Sequence, residues 1–256
     1  MIAEITLFLS GFCIATVSTM VGLGGGVFFV PLLVLAFGLP TQKATGISVL
    51  TMTFTTTLAT IQYARQKRIN YKVGILLDVL DAPGAIIGAY LTLLINSNWL
   101  AFIFGCFLLL ISILVIRKPY PAREETLYAD AFRLSFKVIF FSLIASFLSG
   151  VVAGMLGAGG GTVDETVMVL ALNMPVKMSS ATSVFGMALT NFIAAISHIE
   201  LGNIVPTYAA PLAVGAIFGS QVGPYVSKHV SEGALRKILS GVFLIIAARM
   251  IIIPFI

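Results

Sequence analysis

Two glycine runs, Gly22-Leu23-Gly24-Gly25-Gly26 and Gly157-Ala158-Gly159-Gly160-Gly161, stand inside apolar stretches long enough to enter a bilayer. Glycine weakens a helix, and lipid cannot hydrogen-bond the N–H and C=O groups that a break sets free, so such a break must line a cavity or be buried in protein. A short helix starting after Gly26, and another after Gly161, would point unpaired N–H groups into that cavity. Helix starts carry roughly half a positive charge and favour anions, and no basic residue lies near either run. The backbone amides of Gly24, Gly25 and Gly26 and of Gly159, Gly160 and Gly161 are therefore candidate ligands for a small anion. Tight helix packing is the competing reading, and the second copy of the motif tips the balance toward a site. No strand precedes the run and the GxGxxG register is not kept, which rules out a dinucleotide fingerprint.

Side chains add a second set of candidates. Asp164 and Glu165 follow the second run directly, where the first copy has Phe29 and Val30. Ionisable groups inside a membrane are costly and by default functional. They either stabilise the first helical turn or carry a coupling proton beside a bound anion. Asp78 and Asp81 are the other acids inside an apolar run, either partners for Lys72 or a proton exit path. Ser48, Thr51, Ser183 and Asn191 are the side-chain candidates for substrate contact, since a mid-span amide needs a partner. The threonines from Thr51 to Thr60 either bond back to their own helix or line a polar pathway. His198 and Glu200 read as a solvated pair at an outer loop, too few groups for a metal. Cys13 and Cys106 lack any metal or redox spacing and read as buried inert thiols. No cofactor or metal is expected.

The elements that must hold these residues are membrane helices. In 256 residues, 59% are hydrophobic and 10% charged, too little polar surface for a soluble globule. Apolar runs near the ~20 residues of a spanning helix recur along the chain, so the lipid bilayer is an expected partner. The first run lacks a basic n-region and reads as a retained segment, not a signal peptide. The net charge of +5 comes from residues in loops and reads as a topology signal, not as nucleic-acid affinity.

Four motifs recur in one order, which indicates an internal duplication. The glycine runs match, Met174-Pro175 matches Leu39-Pro40, and Ala181-Thr182-Ser183 matches Ala44-Thr45-Gly46 after a two-residue slip. Gly215 to Gly219 matches Gly84 to Gly88. The expected division is a first membrane repeat at 1–118, a cytoplasmic linker at 119–132 and a second repeat at 133–256. Charge decides the path of each broken segment. Plain crossings would leave ten Lys/Arg inside and five outside, whereas hairpins returning to their starting side leave only Lys43 and Arg249 outside. The positive-inside rule favours hairpins, and a hairpin plus three helices makes the repeats inverted. Inverted repeats with broken helices place a substrate between the breaks.

The chain resembles the sulfite exporter TauE/SafE-like family over essentially its whole length. The resemblance rests on the two glycine runs, Pro31-Leu32-Leu33, Ala44-Thr45-Gly46-Ile47-Ser48 and Ala181-Thr182-Ser183. It implies transport of sulfite, organosulfonates or related small oxyanions across a cell (inner) membrane. The expectation is an all-α polytopic membrane protein of two inverted repeats, each a broken re-entrant helix plus three transmembrane helices. It would move a small sulfur-containing anion by proton-coupled alternating access, with a small-anion channel as the alternative. A membrane enzyme is disfavoured because no nucleophile, base and orienting group cluster. Pro31 has no counterpart in the second copy, where Thr166 stands, so the two half-helices need not contribute equally.

Overall fold

The computed structural model describes residues 2–117, 136–170, 172, 174–227 and 232–255. The protein is helical, with no strand among the described residues. The linker expected at 119–132 lies outside them. In chain order the helices are α1 (Ile2–Val21), α2 (Gly26–Pro31), α3 (Thr41–Arg65), α4 (Tyr71–Asp78), α5 (Asp81–Leu91), α6 (Ser97–Arg117), α7 (Phe136–Leu156), α8 (Gly161–Leu170), α9 (Val176–Glu200), α10 (Pro206–Val226) and α11 (Glu232–Ile252). Among the described residues, five segments are long and apolar enough to cross a membrane, Tyr71–Leu91 spanning α4 and α5 as one. Outward-facing residues are large and apolar, among them Leu94, Phe141, Phe218 and Ile245, while Ser18, Thr45, Ser48 and Thr182 are buried. This inside-out distribution is what a lipid-facing surface requires. Cys13 and Cys106 belong to that outer surface and not, as expected from their apolar surroundings, to the core.

Prolines shape several of the elements. Pro40 and Pro175 precede α3 and α9 with nearly the same backbone angles, φ −55° and ψ 141° against φ −57° and ψ 139°. Pro83 has no N–H to offer the Val79 carbonyl, and the third apolar run breaks at Val79-Leu80 into α4 and α5. Pro31 ends α2, and the chain continues as a π-helical turn over Leu32–Ala36. Its counterpart α8 carries Thr166 and runs as ten α-helical residues.

Close glycine contacts set the helix directions. A Cβ on Gly215 or Gly219 would strike the carbonyl of Phe8 or Phe12, so α1 and α10 run parallel. Gly84 and Gly88 meet Phe147 and Val151 in the same manner, so α5 and α7 also run parallel. α3 runs with α10, since Gly46 packs on Asn203 and Gln66 Nε2 donates to Pro224 O at 3.3 Å. α1 and α3 therefore point the same way, and Gly26–Ala36 between them must run back. By the same logic α7 and α9 agree, because Asn70 bonds Thr182 and Tyr90 bonds Glu200 along α4, α5 and α9. Gly161–Leu170 is then the second returning limb. α3 crosses α9 antiparallel, with Gly46 near Asn203 and Thr60 Oγ1 donating to Val184 O at 3.3 Å. α6 and α11 are antiparallel too, joined by Ser112 and Ser240 at 2.8 Å and by Gly105 against Ala247 and Ile251.

These contacts correct the alignment of the two halves. Thr45 lies against Gly157, and Ser180 lies against Gly22, so the matched pairs stand 135 positions apart (180 − 45 and 157 − 22) with no slip. Gly84, facing Phe147, corresponds to Gly219, facing Phe12, and not to Gly215 (219 − 84 and 147 − 12 both give 135). The sequence match was one helical turn out.

Candidate functional site

The glycine turns lie side by side. A Cβ on Gly26 would run into the carbonyl of Gly157, so the start of α2 touches the turn before α8. Gly24 at φ 68° and Gly159 at φ 76° occupy the left-handed region at equivalent positions, which a side chain there would strain. Both turns sit level with Met52 and Met187, near the middle of α3 and α9.

Hydroxyls hold both turns, some reaching across to the other half and some from within the same half. Ser48 Oγ donates to Gly157 O at 2.7 Å, and Ser183 Oγ donates to Gly161 O at 2.9 Å with a longer contact to Gly22 O at 3.5 Å. Thr45 Oγ1 reaches Leu156 O at 3.4 Å, and Ser180 Oγ reaches Val21 O at 3.3 Å. Thr55 Oγ1 donates to Gly24 O at 3.1 Å, and Ser149 Oγ donates to Gly160 O at 2.9 Å. Side-chain hydroxyls thus reach the carbonyls of Gly24, Gly157, Gly160 and Gly161, while Gly25 O accepts from the N–H groups of Phe28 and Phe29. Among the described residues, no main-chain carbonyl accepts from the N–H of Gly24, Gly26, Gly159, Gly160 or Gly161. Gly25 differs, since its N–H closes a tight turn on Leu23 O at 2.8 Å.

The other predicted residues divide. Ser48 and Ser183 reach the turns. Thr51 bonds back to Ile47 O at 2.8 Å, and Thr53, Thr56 and Thr57 do likewise in their own helix. Asn191 is fully buried, and neither its Oδ1 nor its Nδ2 has a partner among the described residues. It stands one helical turn beyond Met187. Asp164 and Glu165, neighbours in sequence, part company. Asp164 turns to Ser149 and Asp81, and Asp81 in turn faces Ser146 with Asp78 nearby. Thr190 Oγ1 donates to Asp78 Oδ1 at 2.6 Å and touches Asp81 Oδ2 at 3.5 Å. One carboxylate oxygen each of Asp81 and Asp164 is buried without a partner. Glu165 instead accepts from Ser180 Oγ at 3.1 Å. Asp78 and Asp81 are thus brought to Asp164, with Thr190 as their hydroxyl partner.

His198 corrects another expectation. It is buried rather than solvated, with Nε2 at 2.8 Å from Gly154 O and Nδ1 at 3.1 Å from Asn203 Nδ2. Glu200 remains exposed, bonded by Tyr90. Among the described residues no group of three His, Cys, Asp or Glu side chains is arranged to hold a metal ion.

Sequence reasoning did not single out Ser149, Met52 or Met187. The methionines carried a usable signal, because they stand at the same 135-residue interval as the glycines (187 − 52 and 161 − 26). It becomes visible once the two halves are aligned without a slip.

Comparison with known proteins agrees with this architecture. The chain is 31% identical to the probable membrane transporter protein YunE of Bacillus subtilis over 265 residues, covering 96% of this chain and 97% of that one. It is 24% identical to YdhB of the same organism, also a probable membrane transporter protein, with 93% and 94% covered. A probable membrane transporter protein of Methanocaldococcus jannaschii is 24% identical, with 96% and 94% covered. No solved structure matches significantly. The model of the sulfite exporter TauE/SafE family matches residues 7–250, and the chain therefore belongs to this family of membrane transporters.

Proposed function

We propose that the protein is a secondary transporter of a small sulfur-containing oxyanion, of the sulfite or organosulfonate class. It works by proton-coupled alternating access between two inverted repeats in the cell membrane, with the long linker cytoplasmic. The observation that carries this reading is the meeting of two glycine turns, one from each half, midway along α3 and α9, with main-chain N–H groups left unspent. Such amides recognise an oxyanion by charge and shape without a basic side chain. The antiparallel crossing of the equivalent helices α3 and α9 supports inversion, and the packed space between the turns supports alternating access over a standing pore. Asp81 and Asp164, buried together beside the half-buried Asp78, support proton coupling, because buried carboxyls need protons or a counter-ion to offset their charge.

Proteoliposomes loaded at one pH and diluted into another test the reading with sulfite, sulfate, thiosulfate and methanesulfonate. The expected outcome is accumulation of at least one sulfur oxyanion above its equilibrium level, abolished by a protonophore. Equilibration without accumulation would leave a channel, and no flux of any of the four would remove the proposed function.

A further inference from the structure

We propose that Met52 and Met187 form a movable plug that fills the anion site and sets the size of the anion it admits. The inference rests on the reading that the glycine turns bind substrate. Both methionines are fully buried. A Cβ on Gly24 would stand 2.7 Å from Met52 Cε and 3.2 Å from Met187 Sδ, so both side-chain tips reach this one turn. The same two tips reach Gly159 of the opposite turn, with Met187 Sδ at 3.0 Å from where a Cβ would be. Gly26 meets Met52 Sδ at 2.6 Å, and Gly161 meets Met187 Sδ at 2.5 Å, measured in the same way. Each half contributes one methionine, and each methionine touches both halves. An oxyanion cannot stand between the turns while both thioethers are there.

The chemistry of the side chain suits a plug. Methionine is unbranched, with three rotatable side-chain bonds, and swings aside more readily than Leu or Ile. Its sulfur is a weak acceptor, so it covers the turn amides without competing strongly with an oxyanion. Ser48 Oγ lies 3.8 Å from Met52 Sδ but donates to Gly157 O at 2.7 Å, so the Met52 side chain can withdraw without breaking a hydrogen bond of its own. When the methionines withdraw, the space they vacate bounds whatever the oxyanion carries besides its charged oxygens. That makes them determinants of size, while the glycine amides select charge.

Two experiments test this, starting from a C13S/C106S background because both native thiols are exposed. In the first, Met52→Cys and Met187→Cys in intact proteoliposomes meet two methanethiosulfonates of similar size, one ending in a sulfonate and one in a trimethylammonium. The introduced thiolate attacks the reagent's sulfenyl sulfur, and methanesulfinate leaves. Both thiols are expected to react, roughly tenfold faster with the anionic reagent, and to be protected by methanesulfonate. Thiols that stay unlabelled, or that show no preference for the anion, overturn the inference and make the methionines core filling. In the second, propanesulfonate competes against methanesulfonate transport. Met52→Ala and Met187→Ala should improve its competition roughly tenfold, and Met52→Leu and Met187→Leu, which keep bulk and guard against misfolding, should not. An unchanged ratio in active Ala variants overturns the size role. Anion-selective labelling in a protein that transports no sulfur oxyanion keeps the plug and discards the proposed substrate. Transport with inert thiols does the reverse.

Discussion

Ser48 is the most heavily committed hydroxyl at the breaks, because it ties α3 to the turn of the other half through a 2.7 Å bond to Gly157 O. Replacing it by alanine leaves a carbonyl at membrane depth without that donor. An unsatisfied buried acceptor costs about 1–3 kcal/mol, and measured membrane hydrogen bonds average nearer ~0.6 kcal/mol. Ser48→Ala is expected to lower the melting temperature in detergent by a few degrees and to slow transport. Ser183→Ala leaves the longer 3.5 Å contact to the opposite turn unmade and should cost less in tying the halves together. Equal melting of wild type and Ser48→Ala would show that the bond contributes nothing. Among the acids, Asp164→Asn should flatten the pH dependence of transport more than Glu165→Gln, since Asp164 belongs to the cluster with Asp81 and Asp78 whereas Glu165 bonds Ser180. Unchanged pH profiles in both variants would exclude coupling through either residue. The glycines and acids were legible in the sequence because their types are anomalous in an apolar run. Met52 and Met187 were not, because methionine in such a run looks like core, and the convergence of Asp78, Asp81 and Asp164 depends on packing between α4, α5 and α8 that no local spacing encodes.

At the scale of elements, the glycine seams let helices approach until backbone meets backbone. Gly84 on α5 packs on the Phe147 carbonyl with Val151 N at 3.0 Å from where a Cβ would be, and Gly219 on α10 packs on Phe12 in the equivalent place. Lipid is as apolar as a leucine side chain, so van der Waals fit is what holds such pairs. Gly84→Val and Gly219→Val should each destabilise the protein by about 1–3 kcal/mol through overpacking. Gly241 has nothing within 4 Å of where a Cβ would be and serves as the control. Thermal unfolding in detergent reads the difference, and a Gly84→Val variant as stable as Gly241→Val would contradict the seam. The small-residue face Gly84/Gly88 was legible from its spacing, but its counterpart was placed one turn early. Gly215, Gly219 and Gly223 repeat every four residues, so the motif fits at more than one register, and a lipid-facing helix has no polar face to fix the phase. The outward position of Cys13 and Cys106 has the same cause, since apolar residues face both lipid and core.

For the whole molecule, one geometric relation organises the chain: equivalent contacts recur at a 135-residue interval while the equivalent helices α3 and α9 run antiparallel. It groups the loops into two ends. Thr41 N bonds Ser97 Oγ at 2.7 Å and Lys43 bonds the Gly202 carbonyl, so the loops before α3, before α6 and after α9 share one end. Arg68 bonds Lys177 O at 3.1 Å and Ser227 Oγ at 3.2 Å, which places the loops after α3, before α9 and after α10 at the other. Charge counting reached the same grouping from sequence by sorting Lys and Arg, because hairpins change which loops share a side. With a C13S/C106S background and the protein in right-side-out cells, Ser97→Cys and Asn203→Cys should both react with an impermeant thiol reagent added outside. Ser227→Cys should react only after the membrane is opened. Asn203 is mostly buried against Gly46, so its thiol should react more slowly than that at 97 without changing sides. Labelling of positions 97 and 203 from opposite sides would break the two-ended grouping, and with it the return of Gly26–Ala36 and Gly161–Leu170 that brings the glycine turns together.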